Sequence, residues 1–313
     1  YLIFILLSVA FITIIRKHDL SASHAGDHAL VHRLSVAHTR EYVKEFYHYC
    51  HPLFSYAAIG LIVGIFDRWL LQFFGGSIEQ GFFGLSYQIG AFCFLFTSAM
   101  TPLLTREFAI SFHKKDLPVM SRLFQRYIPL LYSVAAYFSC FIAAQASKVT
   151  HILGGGKFEQ ATFAVSIMAF YPIHQTYGQL SGSVFFATGQ TGLYRNIGIA
   201  FMLIGIPVTY FFIAPHNRMG MNAGAAGLAF KMVTLQCIAV NIQLYFNTRL
   251  LKLNFRKYVV HQIISVLCFF LIAAAVTFCI DYLFGLEKHI VSSFLLSGFL
   301  YTLFITMLVY FFP

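Results

Sequence analysis

Asp67, Arg68 and Lys231 lie inside long apolar runs of the sequence, each about seven residues from one end of its run. On helices rising about 1.5 Å per residue, all three sit about 10 Å deep. Ionisable groups at that depth in hydrocarbon are costly and face a partner or a cavity. Adjacent helical residues point about 100° apart, so Asp67 and Arg68 cannot both face one partner squarely. Two chemistries are open. Asp67 and Lys231 can form an internal ion pair that staples two helices. Alternatively, the three line a hydrated basic cavity. Arg68 then supplies a planar fork suited to phosphate, Lys231 a point charge, and Asp67 moderates both.

Polar residues cluster in two further runs. Tyr171, Gln175, Gln179 and Ser183 recur every four residues and form one drifting stripe on a helix, with His174 beside it after Pro172. Gly178 and Gly182 give that helix a small-residue face for close approach by a neighbour. The second run carries Lys231, Thr234, Gln236, Asn241 and Gln243. Any one of these amides can be helix–helix glue, but their concentration on two helices favours a water-filled path. Arg106 and Arg195 stand at helix ends, where they could admit an anion or simply follow from topology.

These residues must be positioned by membrane-spanning helices. The chain is 59% hydrophobic and 10% charged, whereas a soluble domain carries about 25% charge. Nine apolar segments are expected, at about 1–15, 53–74, 82–105, 127–147, 161–186, 196–214, 224–246, 259–281 and 290–312. The first is too short to span alone. Together with the opening at Tyr1, mid-run and without Met, this suggests a chain whose upstream helices are missing. No cleavable signal peptide is evident.

The alternating loops divide the basic residues unevenly. One side holds Arg16, Lys17, Arg33, Arg40, Lys44, Arg106, Lys114, Lys115, Arg122, Arg126, Arg195, Arg249, Lys252, Arg256 and Lys257. The other holds only Lys148, Lys157, Arg218 and Lys288. The richer side is assigned to the cytoplasm. A net charge of +10 could suggest nucleic acid, but basic residues in short loops between spans are explained by topology. The other side has short loops, such as 75–81 and 148–160, with no room for a folded external domain.

The longest loop, 16–51, carries His18, His24, His28, His32, His38, His48 and His51. His24, His28 and His32 would share a helix face and could chelate a metal, but no Cys or HExxH accompanies them, and a solvated linker is favoured. Thr39 to Tyr49 mixes aromatic and charged residues, as a short interfacial helix does. The six cysteines form no CxxC pair and read as small buried hydrophobes. Gly154-Gly155-Gly156-Lys157 lacks the earlier Gly and the following Ser or Thr of a phosphate loop and reads as a turn. No Gly-x-Ser-x-Gly occurs. Neither a metal nor a cofactor is called for, and no enzyme activity is expected.

Phe66-Asp67-Arg68-Trp69-Leu70-Leu71, Gly75-Gly76 and Gln80-Gly81-Phe82-Phe83-Gly84-Leu85-Ser86-Tyr87 resemble the start of the second helix bundle in bacterial O-antigen-type polysaccharide flippases. These belong to the multidrug/oligosaccharidyl-lipid/polysaccharide exporter superfamily. Leu153-Gly154 through Phe158 with Ala161, Ala187-Thr188-Gly189-Gln190-Thr191, and Gly224-Ala225-Ala226-Gly227-Leu228 are similar to runs that family has in the same places. The resemblance covers most of residues 40–312.

The resemblance implies an all-α polytopic transmembrane bundle of the MATE/flippase type. Residues 1–15 would end a truncated helix, 16–51 form the cytoplasmic inter-bundle linker, 52–246 the second six-helix bundle, and 247–313 two additional C-terminal helices. It further implies a flippase in the bacterial inner membrane for oligosaccharides linked to undecaprenyl pyrophosphate. The pyrophosphate would meet Arg68 and Lys231, with Arg106 and Arg195 toward the cytoplasm. Gln175, Gln179 and Asn241 would bond sugar hydroxyls, and a Phe-rich exterior would meet membrane lipid. Asp67 and His174 are candidates for coupling to H+ or Na+. Other polysaccharide assembly proteins are expected partners. A multidrug cation exporter would want cavity carboxylates, and an O-antigen polymerase or ligase a large external catalytic loop.

Overall fold

The computed structural model describes residues 36–283, 285 and 289–311. The expected helix end at 1–15, the histidines His18, His24, His28 and His32, and Lys288 lie outside the described residues. Residues up to His48 group apart from a unit spanning Tyr49–Pro313, and the architecture and sites below belong to that second unit.

The described residues are predominantly helical, with no strand among them. In chain order the helices are α1 (Val36–His113), α2 (Leu117–Ala144), α3 (Ala146–Gly154), α4 (Thr162–Met168), α5 (Tyr171–Ala187), α6 (Thr191–Ile213), α7 (Gly224–Leu250), α8 (Phe255–Phe278) and α9 (Ile290–Phe311). Short 3₁₀ turns precede α4 and α7, and a π-turn, Cys279–Leu283, ends α8. Six helices are long and apolar enough to cross a membrane: Val43–Leu95 within α1, α2, α6, α7, Phe255–Tyr282 and Ile290–Leu308. The chain is a multi-pass membrane protein.

Helix α1 reverses at Gly76, which adopts φ 73° and ψ −171°. That conformation is open to glycine and closed to most side chains. Within the second unit, the limbs 49–75 and 77–113 fold back on each other there, since the Arg68 guanidinium carbon lies 5.9 Å from the Phe83 ring centre and 5.6 Å from that of Tyr87. A straight helix would hold Arg68 and Phe83 about 22 Å apart. The expected segments 53–74 and 82–105 are thus the two limbs of one hairpin, and the expected loop 75–81 is reduced to a single non-helical residue.

The expected span 161–186 is divided. Helices α4 and α5 meet end to end at Ala169–Phe170, and α5 alone has 17 residues. Pro172 carries no amide hydrogen, so the Met168 carbonyl loses its helical partner. Gly90 packs against the break; a Cβ there would lie 3.1 Å from the Met168 carbonyl oxygen. The expected loop 148–160 also contains helix α3, which stops at Gly155 (φ 68°).

Helix α7 is the axis of the bundle, packing on α4, α5, α6 and α8, while α2 bridges α5 and α8. Two buried clusters hold these contacts. One joins Phe108, Phe124, Tyr132, Tyr177, Leu244, Tyr258 and Tyr301. The other gathers Leu71, Phe82, Phe83, Val165, Ile213 and Leu228 at the end where the α1 hairpin turns. Helix ends are closed by side chains. Asp116 accepts the Val119 N–H at 3.0 Å and Asn254 accepts the Arg256 N–H at 3.0 Å, as N-caps do. Glu79 does the same for α7, accepting the Ala225 N–H at 2.6 Å and placing a carboxylate at the positive end of the helix dipole.

Candidate functional site

The first limb of α1, α5, α6 and α7 line a partly open chamber of about 300 Å³. Its polar lining is Tyr56, Asp67, Tyr171, Gln175, Gln179, Tyr194, Lys231, Gln236 and Gln243. Three glycines make room for it. A Cβ at Gly205 would lie 3.0 Å from Lys231 Cε, one at Gly178 3.0 Å from Gln236 Nε2, and one at Gly198 would strike the Tyr56 ring.

At one end of the chamber, Lys231 Nζ donates to Asp67 Oδ2 at 2.6 Å. Thr209 Oγ1 donates to Asp67 Oδ1 at 2.7 Å. Both charged residues are buried, at 8% and 6% exposure. Two such charges in a low-dielectric setting stabilise each other only with close geometry and satisfied remaining lone pairs. Here both carboxylate oxygens have a donor. The pair is electrically neutral as a unit, so this end of the chamber is polar without being basic.

Arg68 is not in the chamber. One helical step from Asp67, it is exposed and lies over Phe83 and Tyr87 on the other limb of the hairpin. The expected joint presentation of Arg68 and Lys231 to one phosphate is not the arrangement found. The 100° step between neighbours turns Asp67 inward and Arg68 away.

Gln175 and Gln179 do line the chamber, and each is also tied to a neighbour. Gln236 Nε2 donates to Gln175 Oε1 at 2.9 Å, and Thr101 Oγ1 donates to Gln179 Oε1 at 3.1 Å. The latter belongs to a ladder between the second limb of α1 and α5. It continues with Thr97 and Thr176 at 2.9 Å and with Thr105 donating to Ser183 at 2.7 Å. The Thr97, Thr101, Thr105 spacing of four residues matches the stripe on α5.

Asn241 points elsewhere. It exchanges two amide hydrogen bonds with Gln262 of α8, at 3.3 and 3.0 Å. His174 lines a separate, mainly apolar crevice with Tyr132, Cys237, Gln262 and Phe270. It is therefore not brought together with Asp67. Arg106 borders a second cavity of about 700 Å³ with Thr101, Thr105, Gln179, Phe186 and Tyr194. Gln179 and Tyr194 belong to both cavities and stand between them. Arg195 turns its guanidinium onto Asn196 Oδ1, at 3.0 and 2.9 Å. Among the described residues, no group of three His, Cys, Asp or Glu side chains could hold a metal ion.

Sequence reasoning passed over Thr209, Tyr56, Tyr194 and Glu79. Thr209 is a lone hydroxyl in an apolar run and carries no pattern. Glu79 had a signal: an acidic residue beside a Gly-Gly turn, at the same membrane face as the start of α7. A second ion pair was also unforeseen. Lys148 Nζ donates to Asp281 Oδ1 at 2.6 Å and to Ser293 Oγ at 2.7 Å, joining α3, the π-turn and α9.

Comparison with protein-family models, with curated proteins and with solved structures returned no match. The fold and site define the class on their own terms: an all-helical, multi-pass membrane protein with a polar, charge-compensated chamber inside its bundle.

Proposed function

We propose that the protein is a flippase for undecaprenyl-pyrophosphate-linked oligosaccharides in the bacterial inner membrane, working by alternating access of two bundles. The observation that carries this reading is the chamber at membrane depth, walled by phenols and carboxamides around a neutral ion pair. Such walls offer hydrogen bonds to hydroxyls. A large polar headgroup crossing hydrocarbon needs a shielded path of this kind. The sequence resemblance supports the same reading, with residues 52–246 as a second six-helix bundle, 247–313 as two added helices, and nine spans in all.

In this reading the diphosphate is met by Arg106, which faces the larger cavity adjoining the chamber. Gln175 and Gln179 face the sugars. The cation-exporter alternative is weakened because both Asp67 oxygens are already occupied by Lys231 and Thr209.

The test is made in the native bacterium with the gene deleted. An impermeant sugar-modifying reagent, applied to sided inner-membrane vesicles, reports the face on which lipid-linked repeat units accumulate. Accumulation on the cytoplasmic face, relieved by the intact gene, is the expected result. Accumulation on the periplasmic face would place the defect after translocation and replace this reading with a polymerase or ligase.

A further inference from the structure

On the side of α5 and α7 away from the chamber, α8 completes a crevice of about 470 Å³. Tyr132, Phe170, His174, Cys237 and Phe270 are among its walls. Ile263 and Leu267 form its lip at 61% and 55% exposure, so it opens toward lipid. Between Gln262 and Phe270 the lining lies about 10–22 Å along α8 from Phe255. That is the middle of a hydrocarbon layer about 30 Å thick.

His174 has no hydrogen-bond partner among the described residues, and neither of its ring nitrogens is sealed off. Gln262 in the same wall is engaged, exchanging two bonds with Asn241. Water, which would serve an unpaired imidazole on a soluble surface, is missing from hydrocarbon. We propose that the crevice is a binding site for a lipid-soluble quinone, one ring carbonyl of which accepts the His174 N–H.

Depth and charge select this ligand class. Phospholipids and fatty acids hold their polar atoms at the membrane surface, so they bring only hydrocarbon to His174, and hydrocarbon cannot accept its N–H. A charged group at this depth needs a counter-charge, and no Asp, Glu, Lys or Arg lines the crevice. A quinone is uncharged and carries its acceptors on a flat ring. Flat rings pack offset or edge-on against aromatic side chains. Tyr132, Phe170 and Phe270 supply such faces, the latter two with ring centres 6.0 Å apart and planes tilted by 50°. The reduced form fits the same partner, because the second nitrogen of a neutral imidazole accepts from O–H. The volume lies within the range of about 300–1,000 Å³ for ligand pockets.

The crevice is walled off from the chamber. Gln236 bonds to Gln175 at 2.9 Å between them, and a Cβ on Gly178 would lie 3.0 Å from Gln236 Nε2 and 3.1 Å from Val240 Cγ2. A polyprenyl tail whose headgroup occupied the chamber has no passage between α5 and α7. The quinone site therefore stands apart from the flippase reading.

The test uses the purified full chain in detergent and a tritium-labelled decyl benzoquinone, with concentrations corrected for partition into micelles. Every ring position of the probe is substituted, so it cannot add to Cys237. Saturable binding, one per chain, with a micromolar Kd is expected. Unlabelled decylbenzene, which keeps a ring and the tail but has no carbonyl, should compete at least about tenfold more weakly than unlabelled quinone. His174→Phe keeps the crevice filled and removes the donor, and should weaken binding about tenfold. His174→Gln restores a donor and should recover most of the loss. The decylbenzene comparison is made on the unaltered protein and stays decisive if the variants do not fold.

Absence of saturable binding at about 100 μM quinone, well above a micromolar Kd, would overturn the assignment. So would decylbenzene competing as well as quinone, or undiminished binding by folded His174→Phe. Displacement by polyprenyl phosphate as effective as by unlabelled quinone would make the crevice a groove for lipid tails and overturn it too. Failure of the flippase reading would leave each of these outcomes unchanged.

Discussion

Lys231 and Asp67, 164 residues apart in sequence, meet at 2.6 Å in the interior of the bundle, with Thr209 completing the carboxylate's shell at 2.7 Å. Removing one partner leaves the other charged and buried. Lys231→Met is therefore expected to destabilise the protein by about 3–5 kcal/mol, and Asp67→Asn by a similar amount. The double variant, which buries no charge, is expected to recover most of that loss. Unfolding followed in detergent for the four proteins checks this. A double variant no more stable than the singles would mean that the pair does not hold the helices.

Gly198 and Tyr56 are a fitted pair, since a Cβ at Gly198 would strike the Tyr56 ring. Gly198→Ala should force α6 away from the first limb of α1 and lower the yield of folded, monodisperse protein. Adding Tyr56→Ala opens the space again and should restore the yield. Size-exclusion profiles of the two variants provide the comparison.

The hydroxyl ladder between the second limb of α1 and α5 predicts a modest coupling. A double-mutant cycle on Thr105→Val and Ser183→Ala should return about 0.6 kcal/mol and no more than about 1.7, the range for hydrogen bonds between membrane helices. A coupling indistinguishable from zero would mean that the 2.7 Å contact adds nothing to helix association.

The charge split gives a prediction of sidedness. In a background with the six free cysteines replaced, a cysteine at Lys157, exposed in the 148–160 segment, should react with an impermeant maleimide on intact cells. A cysteine at Lys115 or Lys252 should react only after permeabilisation. The reverse labelling would invert the assigned orientation.

The membrane helices and the shared depth of Asp67 and Lys231 were legible because a helix converts residue count into distance at a fixed rate. The direction of each side chain was less so. Asn241 and Gln243 read as one polar concentration, yet two residues correspond to about 200° of rotation. Asn241 accordingly meets Gln262, while Gln243 meets the chamber. Gln236 and Gln243, seven apart, keep one face. His174 adjoins the stripe in sequence but is turned about 100° from Gln175 and opens into the Tyr132 crevice.

The break between α4 and α5 was written in Pro172 but not in hydropathy, which registers side-chain polarity and not the missing amide hydrogen. The reversal at Gly76 was visible as a Gly-Gly turn. That the turn would need only one non-helical residue was not, because this depends on a backbone conformation no pattern reports. Thr209 reached the site by packing alone: α6 brings it to Asp67 because Gly198 and Gly205 let that helix approach its neighbours closely.

The separation of Asp67 from Lys231 along the chain also bears on biogenesis. At about 5–20 residues per second, the ribosome delivers Lys231 some 8–33 s after Asp67. For that interval the carboxylate-bearing helix lacks its partner cation. Arrival of the lysine helix completes a charge pair that neither segment can make alone. A chain stalled before α7 would leave that carboxylate without its buried partner.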